Sequence, residues 1–332
     1  MAHAILETIL DFCTIILTVG WSVLLEAVTN LWALLFPTLK DLTNETVLVT
    51  GAGNGIGRLM CLEFAKYCPN LVGWDVDLAN LEHTVNLVAK ERGCLLRAYV
   101  CDLRSREDIM NTAKRVLQEV GRVTILVNNA GVLSARPILD LTPEDIEDTF
   151  KVNVLSHFYT IQAFLPSMIG DNKPNLLNYS GDEARIAPSG HIVAVLSVAS
   201  FIPCVGLSDY CATKSAALML SESLELELSE KGLHNQIYVT RVFPFLLNTR
   251  MFAGCKPRLP WLFDIVDAEY CARAIVNSVR TNRREVFVHN RYKLLPLIKC
   301  LLPDRALRCL YNLTNTRQLI SQRNKFVSTV NS

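Results

Sequence analysis

An α/β fold with one doubly wound parallel sheet is predicted for this chain. A membrane-anchoring helix precedes the sheet, and an apolar extension follows it. Three observations predict this. Strand and helix signals alternate through the middle of the 332 residues, a glycine-rich loop follows the first apolar strand, and the first forty residues are far more apolar than the rest. Alternation with short links implies a parallel sheet covered on both faces by helices. The segmentation is 1–40 for the membrane anchor, 41–290 for a single α/β domain, and 291–332 for an extension that contacts a membrane or a partner subunit.

Strand signals fall near 46–50, 70–75, 95–100, 123–128, 190–196, 236–242 and 285–288. Helix signals fall between them, near 56–67, 78–91, 105–119, 142–168, 208–231 and 267–280. The first strand contains Val47-Leu48-Val49, an uninterrupted apolar run of the kind buried on both faces of a parallel sheet. Thr50-Gly51-Ala52-Gly53-Asn54-Gly55-Ile56-Gly57 follows, and then Leu59 to Ala65 reads as a helix. Strand, glycine loop and helix together form a phosphate-binding arrangement of the Rossmann type. Glycines permit a tight turn and close backbone approach, and the helix N-terminus supplies free N–H groups and partial positive charge. The second strand, through Leu71-Val72-Gly73-Trp74, ends in Asp75. A carboxylate there accepts both ribose hydroxyls of NAD and repels the 2′-phosphate of NADP. Asn54 adds no positive charge to offset that repulsion, so NAD is expected in preference to NADP.

Net charge is +1, and no basic stripe runs along the chain, so nucleic acid is not an expected partner. The 11 cysteines are scattered and odd in number, which suits a reducing compartment better than a disulfide framework. No His cluster has zinc spacing, and no metal is expected.

Tyr210 and Lys214 lie four residues apart and share a helix face. A phenol beside an ammonium ion can exchange protons near neutral pH, because the positive charge favours the phenolate. Such a pair alone is a weak signal. Its company strengthens it: Cys101-Asp102-Leu103, Asn128-Asn129-Ala130-Gly131 after a strand, Asn153 in a long helix, and Ser197 at the end of the fifth strand.

With these motifs in this order, the chain resembles the short-chain dehydrogenase/reductase family over about residues 42 to 290. The resemblance implies a catalytic tetrad of Asn153, Ser197, Tyr210 and Lys214. Tyr210 would exchange the proton, Lys214 would lower its pKa and hold the nicotinamide ribose, Ser197 would orient the substrate oxygen, and Asn153 would anchor a relay water. It also implies cofactor contacts from Gly51, Asn54, Gly55, Ile56, Gly57, Asp75, Asp102, Asn128, Ala130, Gly131, Tyr210, Lys214 and Thr249. The chain departs from the family pattern at Pro244-Phe245, where Pro-Gly is usual.

Residues 5 to 36 carry only Glu7, Asp11 and Glu26 as charges. At 100° per residue these three, with Thr14, Thr18, Ser22, Thr29 and Asn30, fall in an arc of roughly 160°. That pattern describes a helix lying in a membrane interface, with Trp21 and Trp32 near the boundary. A spanning helix is the alternative. A cleaved signal peptide fits poorly, since no basic region precedes the apolar run. Near the other end, Leu294 to Pro303 is apolar and flanked by Arg291, Lys293, Arg305 and Arg308, which suits a lipid surface or a partner subunit. Phe245 to Asp264 is rich in Phe, Leu, Trp and Pro and reads as a lid over a greasy substrate. Asp171 to Ser189 reads as a solvated loop.

The terminal segments, with Trp74-Asp75, Ser208-Asp209-Tyr210-Cys211 and Asn248-Thr249-Arg250-Met251-Phe252, are similar to the microsomal subgroup of the family. That subgroup includes all-trans-retinol dehydrogenases, retinal reductases and membrane-bound 17β-hydroxysteroid dehydrogenases of the endoplasmic reticulum and lipid droplets. The resemblance implies an NAD-dependent oxidoreductase for a lipophilic alcohol, retinol favoured over a steroid or long-chain alcohol. It also implies a catalytic domain facing the cytosol and a homodimer. The competing class is a lipid-surface scaffold with little turnover.

Overall fold

In the computed structural model residues 2–35, 39–170 and 189–331 are described. Two units are distinct, Met1–Lys40 and Asp41–Ser332.

The first unit is α1 (Ala2–Leu35), one helix of 34 residues. Its Thr14, Thr18 and Ser22 hydroxyls each donate to the carbonyl four residues back, at 2.8, 2.7 and 2.8 Å. These polar groups are satisfied within the helix, which lowers the cost of placing that stripe against apolar surroundings. Phe12, Ile16, Leu17, Trp21 and Leu24 are all exposed. No helix among the described residues is long and apolar enough to cross a membrane.

The second unit runs β1 (Thr46–Thr50), α2 (Gly55–Phe64), β2 (Asn70–Asp75), α3 (Leu78–Arg92), β3 (Leu95–Val100), α4 (Arg106–Glu119), β4 (Ile125–Asn128), α5 (Pro143–Phe150), α6 (Ser156–Met168), β5 (Gly190–Val195), α7 (Ser208–Glu230), β6 (Ile237–Phe243), α8 (Ala268–Arg280) and β7 (Glu285–Phe287). Three further helices follow: α9 (Leu295–Leu301), α10 (Asp304–Thr314) and α11 (Thr316–Asn331). The seven strands form one sheet in the order β3-β2-β1-β4-β5-β6-β7, with every pairing parallel.

Successive strand residues face opposite layers. Val47 and Val49 pack with Met60 and Phe64 of α2 and Ile275 of α8. Leu48 packs on the other face with Ile109 and Leu117 of α4 and Phe164 of α6. Both faces of β1 are therefore buried, which is why its apolar run does not alternate. The chain winds outward from β1 in one direction and from β4 in the other, so the crevice between those strands lies at the topological switch point.

The helix expected over 142–168 is two helices joined by a π turn, Lys151–Leu155. Thr142 and Asp145 form a capping box that starts α5, with Pro143 at its first position. Asn153 sits in the wide turn. The loop expected over Asp171 to Ser189 lies, apart from Ser189, outside the described residues.

The 291–332 extension belongs to the Asp41–Ser332 unit. Leu295 of α9 packs near Phe243 and Tyr292, and Lys299 donates to the carbonyl of Phe201 at 2.8 Å. Leu294, Leu297, Leu301 and Leu302 remain exposed, beside exposed Arg291, Lys293, Arg305 and Arg308.

Candidate active site

The glycine loop departs from β1 with Gly51 at φ +68° and enters α2 with Gly55 at φ +54°, conformations in which an L side chain is strained. Gly57 is required for a different reason. A Cβ there would stand 1.9 Å from the Gly51 carbonyl oxygen. Ala52 N–H donates to the Trp74 carbonyl at 3.0 Å, tying the loop to β2. Asp75, at the end of β2, accepts from the Gly53 N–H at 2.8 Å and the Asp77 N–H at 3.0 Å. Asn54 caps α2 by accepting from Gly55 N–H at 2.7 Å. Ile56 and Gly57 occupy the first turn, where N–H groups have no carbonyl within their own helix. Arg58 does not line the cleft. It donates to Thr84 Oγ1 at 3.0 Å and to the Gly53 carbonyl. Left-handed glycines, a backbone approach that a Cβ would fill, a helix N-terminus and a carboxylate at the next strand end fit a pyrophosphate-bearing dinucleotide.

At the end of β4, Thr50 Oγ1 accepts from Asn129 N–H at 3.0 Å and Ala130 N–H at 3.1 Å, and Asn129 Nδ2 returns a bond to the Thr50 carbonyl at 2.8 Å. Asn129, named in its motif but not among the expected cofactor contacts, thus joins the two loops and lines the cleft. The Asn128 side chain does not line it. Asn128 is buried and accepts from Thr160 Oγ1 at 2.9 Å, on the α6 side of the sheet. Ala130, Gly131 and Thr249 are in the cleft wall. Asp102 is there too, but Arg104 binds its carboxylate and reaches Asp148 Oδ2 at 3.0 Å. Arg104 is a cleft residue that no motif marked.

Tyr210 and Lys214 occupy the first two turns of α7, and Ser197 lies two residues beyond β5, capping a short turn. Tyr210 and Ser197 are hydrogen-bonded. Burial pushes the Tyr210 phenol well above its ordinary range, and the Ser197 bond opposes that rise. Lys214 does not contribute to lowering it here. Its Nζ lies 5.7 Å from the Tyr210 ring centroid and donates to the Val195 carbonyl at 2.8 Å. Burial brings the Lys214 ammonium down to about 8.

Asn153 is fully buried behind this trio. Its Nδ2 donates to the Val132 carbonyl at 2.9 Å and to Thr213 Oγ1 at 3.1 Å, and its Oδ1 accepts from Val132 N–H at 2.9 Å. Both side-chain donors are committed, and they lock the loop after β4 to α7. Asp209, which the sequence marked within a subgroup motif but not as a site residue, makes a parallel link. Its Oδ2 accepts from Ser134 Oγ at 2.8 Å and Thr149 Oγ1 at 3.1 Å.

The dinucleotide cleft has a volume of about 830 Å³. A second cavity of about 120 Å³ adjoins it, sharing Ser197, Tyr210, Phe245 and Phe252. Among the described residues no charged side chain lines this second cavity, whose walls include Leu207, Leu246, Phe263, Leu310 and Ile320. Phe245, the residue that departs from Pro-Gly, stacks on Tyr292 with centroids 4.5 Å apart.

Helix α11 completes the wall. Thr316 Oγ1 accepts from Val205 N–H at 3.2 Å, Gln322 Oε1 from Lys256 N–H at 2.9 Å, Arg323 Nε donates to the Met251 carbonyl at 2.7 Å, and Asn324 Nδ2 to that of Ala135 at 2.9 Å. Its Ile320 packs in one cluster with Tyr210 and Leu207. Few signals could have found this helix, because it docks largely through polar side chains onto backbone groups.

A family model for short chain dehydrogenase matches residues 45–259. Short-chain dehydrogenase/reductase family 16C member 6 of Bos taurus is 40% identical over 242 residues, covering 72% of this chain and 71% of its own. Epidermal retinol dehydrogenase 2 of Mus musculus is 36% identical, covering 82% and 84%. Among solved structures, a short-chain dehydrogenase/reductase from Burkholderia phymatum in complex with NAD superposes with a TM-score of 0.65 at 22% identity, covering 79% of this chain and 94% of its own. A short-chain dehydrogenase from Sphingobium yanoikuyae in complex with NADPH gives a TM-score of 0.62 at 27% identity, covering 77% and 93%. With the sheet order, the glycine loop and the Ser197–Tyr210–Lys214 grouping in agreement with that match, the chain belongs to the short-chain dehydrogenase/reductase family of oxidoreductases.

Proposed function

We propose that the protein oxidises a lipophilic alcohol to its carbonyl compound with NAD, retinol being the favoured substrate and a steroid or long-chain alcohol the alternative. The observation that carries this reading is the cavity without charged lining residues that opens onto Ser197 and Tyr210. An apolar body can be desolvated there at little cost, while its hydroxyl meets the two hydroxyls of the site. The retinol dehydrogenase relative gives independent support.

Bound NAD supplies the hydride acceptor. The protein's own groups manage the proton and the geometry. Ser197 orients the substrate oxygen, and Tyr210 takes its proton. Lys214, with its ammonium brought down to about 8, holds the ribose and favours the phenolate once it turns from the Val195 carbonyl. Asn153 braces the loop after β4. A relay water at Asn153 bonds a carbonyl loosened by the π turn, since both side-chain donors are committed. Gly51, Asn54, Gly55, Ile56, Gly57, Ala130, Gly131 and Thr249 shape the cofactor cleft, with Asp75 at the adenosine ribose and Asp102 beside the adenine end. Asp75 favours NAD because a 2′-phosphate would meet its charge.

Residues 1–40 hold the protein to the cytosolic face of the endoplasmic reticulum or a lipid droplet as an interfacial helix. The exposed leucines of α9 with their basic flanks add a second lipid contact. Exposed Leu155, Phe158, Met219 and Leu226 on adjoining helical segments supply a homodimer face.

The test is a panel of retinol, steroid and long-chain alcohols with NAD and NADP on the membrane fraction, read by cofactor absorbance and product chromatography. Tyr210→Phe removes only the hydroxyl, so turnover should fall at least about a hundredfold while substrate binding persists. Near-normal turnover in that variant refutes the assignment, and no turnover by the unmodified protein on any of these alcohols favours the scaffold.

A further inference from the structure

Two cysteines flank the Tyr210 hydroxyl's helix turn, and they touch. Cys204 lies in the loop before α7, and Cys211 lies in the first turn of α7, directly after Tyr210. Their thiols are neighbours. Each sulfur also lies 3.8 Å from the same acceptor, the carbonyl of Ile202. Both are partly exposed and pack against the cluster formed by Tyr210, Leu207 and Ile320. Cys204 forms part of the wall of the apolar cavity.

We propose that Cys204 and Cys211 are a dithiol–disulfide pair that accepts oxidising equivalents from a peroxide and, as the disulfide, deforms the substrate cavity beside Tyr210. The geometry assigns the two thiols different roles. Cys211 sits at a helix N-terminus, where the local field favours a thiolate, with the Cys204 thiol beside it. The neighbouring Cys204 thiol holds Cys211 below the usual range, and Cys204 is held above it. Burial leaves the Cys61, Cys101 and Cys271 thiols at about 12, so they are protonated and inert under the same conditions.

The Cys211 thiolate attacks one peroxide oxygen, the O–O bond breaks, and the alkoxide leaves and takes a proton as an alcohol or water. Cys211 is then a sulfenic acid. The Cys204 sulfur attacks the Cys211 sulfur, the S–O bond breaks, and hydroxide leaves with the Cys204 proton as water. Two thiols have given up two electrons and two protons, and one O–O bond has been reduced. A disulfide draws the sulfurs to about 2.05 Å, closer than any thiol contact. That pulls the cavity wall at Cys204 toward α7. Gly206 is the loop's point of compliance, since it holds φ +78°, a conformation that L side chains rarely adopt.

The experiment uses the full chain in detergent or native membranes, reduced and then exposed to hydrogen peroxide. No Lys or Arg separates the two cysteines, which share one tryptic peptide ending at Lys214. The expected product is that peptide with two hydrogens missing, resistant to alkylation at both sites and restored by dithiothreitol. Cys204→Ser should trap Cys211 as a dimedone-reactive sulfenic acid, and Cys211→Ser should abolish both products. Free alkylation of both cysteines in peroxide-treated protein overturns the pair. The mapping needs no catalytic turnover, so it stands or falls separately from the proposed activity, on which only the next readout rests. In the same sample kcat/KM for the lipophilic alcohol should fall by roughly three- to tenfold and recover on reduction, each variant being compared with its own untreated rate. A disulfide that forms without changing kcat/KM overturns the effect on the substrate cavity.

Discussion

Burying the Lys214 ammonium destabilises the fold, and the size of that effect depends on pH in a way that identifies it. Its native pKa of about 8 lies below the ordinary 10.5. The unfolded chain therefore binds more protons between those two values, and stability rises with pH across that window. Below pH 8 both states are charged and the burial cost is fully present, about 3 kcal/mol from 1.36 kcal/mol per pH unit. At pH 9.5 the native amine is mostly neutral while the unfolded one is still mostly charged, so about 2 kcal/mol of that cost has been relieved. Lys214→Met keeps the stem and removes the titration. Urea unfolding of both proteins in detergent without cofactor, at pH 6.5 and 9.5, gives a double difference from which other titrating groups cancel. Wild type should gain about 2 kcal/mol relative to Lys214→Met on raising the pH. A difference that stays flat, or one that shrinks, refutes the desolvated-ammonium account of this site. Turnover by Lys214→Met should be lost at every pH, which marks the buried charge as kept for chemistry rather than for stability.

Asp75→Ser removes the repulsion at the ribose, so the ratio of kcat/KM for NADP over NAD should rise at least about tenfold. A starting preference for NADP in the unmodified protein would defeat this reading of Asp75. Ile320→Ala opens space beside Tyr210 and Leu207, and it should lower stability by roughly 2–4 kcal/mol. It should also reduce kcat/KM for a bulky alcohol more than for a short one, and equal losses would deny the cavity wall any part in selectivity. A glycosylation acceptor attached to the extreme N-terminus should stay unmodified in microsomes if α1 lies in the interface. Its modification, with the catalytic domain still cytosolic, would establish a spanning helix instead.

The sheet was legible because parallel strands buried on both faces carry uninterrupted apolar runs, and those runs fix their own ends. Val47 to Val49, Leu71 to Trp74 and Ile192 to Val195 all fall within strands at nearly the expected limits. The glycine loop was legible because sterics leave no other residue at Gly57. Other features left no such trace. The π turn at Asn153 follows from tertiary bonds to Val132 and Thr213, 21 and 60 residues away. Neither side chain has a periodicity that predicts the wide turn. Asn128 and Asn129 are identical letters, and only the register of β4 decides that one faces α6 and the other the cleft. Helix α11 meets the site through Gln322, Arg323 and Asn324, residues that read as solvent-facing polar ones. Hydrophobic patterning reports burial, and these contacts are bonds to loop backbone at the rim of the pocket.

These contacts give the start of α7 an unusual number of attachments for so short a stretch. Asp209 binds Ser134 and Thr149, Tyr210 binds Ser197, Cys211 neighbours Cys204, and Thr213 binds Asn153. Each partner comes from a different neighbouring element, and Ile320 covers the turn from outside. A hydroxyl that must meet substrate within a few tenths of an ångström gains from such bracing, since its position is over-determined by independent bonds. The arrangement also exposes the site to any change in one brace. A shift in the Cys204 loop or in α11 reaches Tyr210 through a single contact. Substrate fit and cofactor binding meet there: the glycine loop, Asp75 and Asn129 line the cofactor cleft alone, Phe245 and Phe252 line both cavities, and α11 gives Arg323 to the cleft and Ile320 to the substrate cavity.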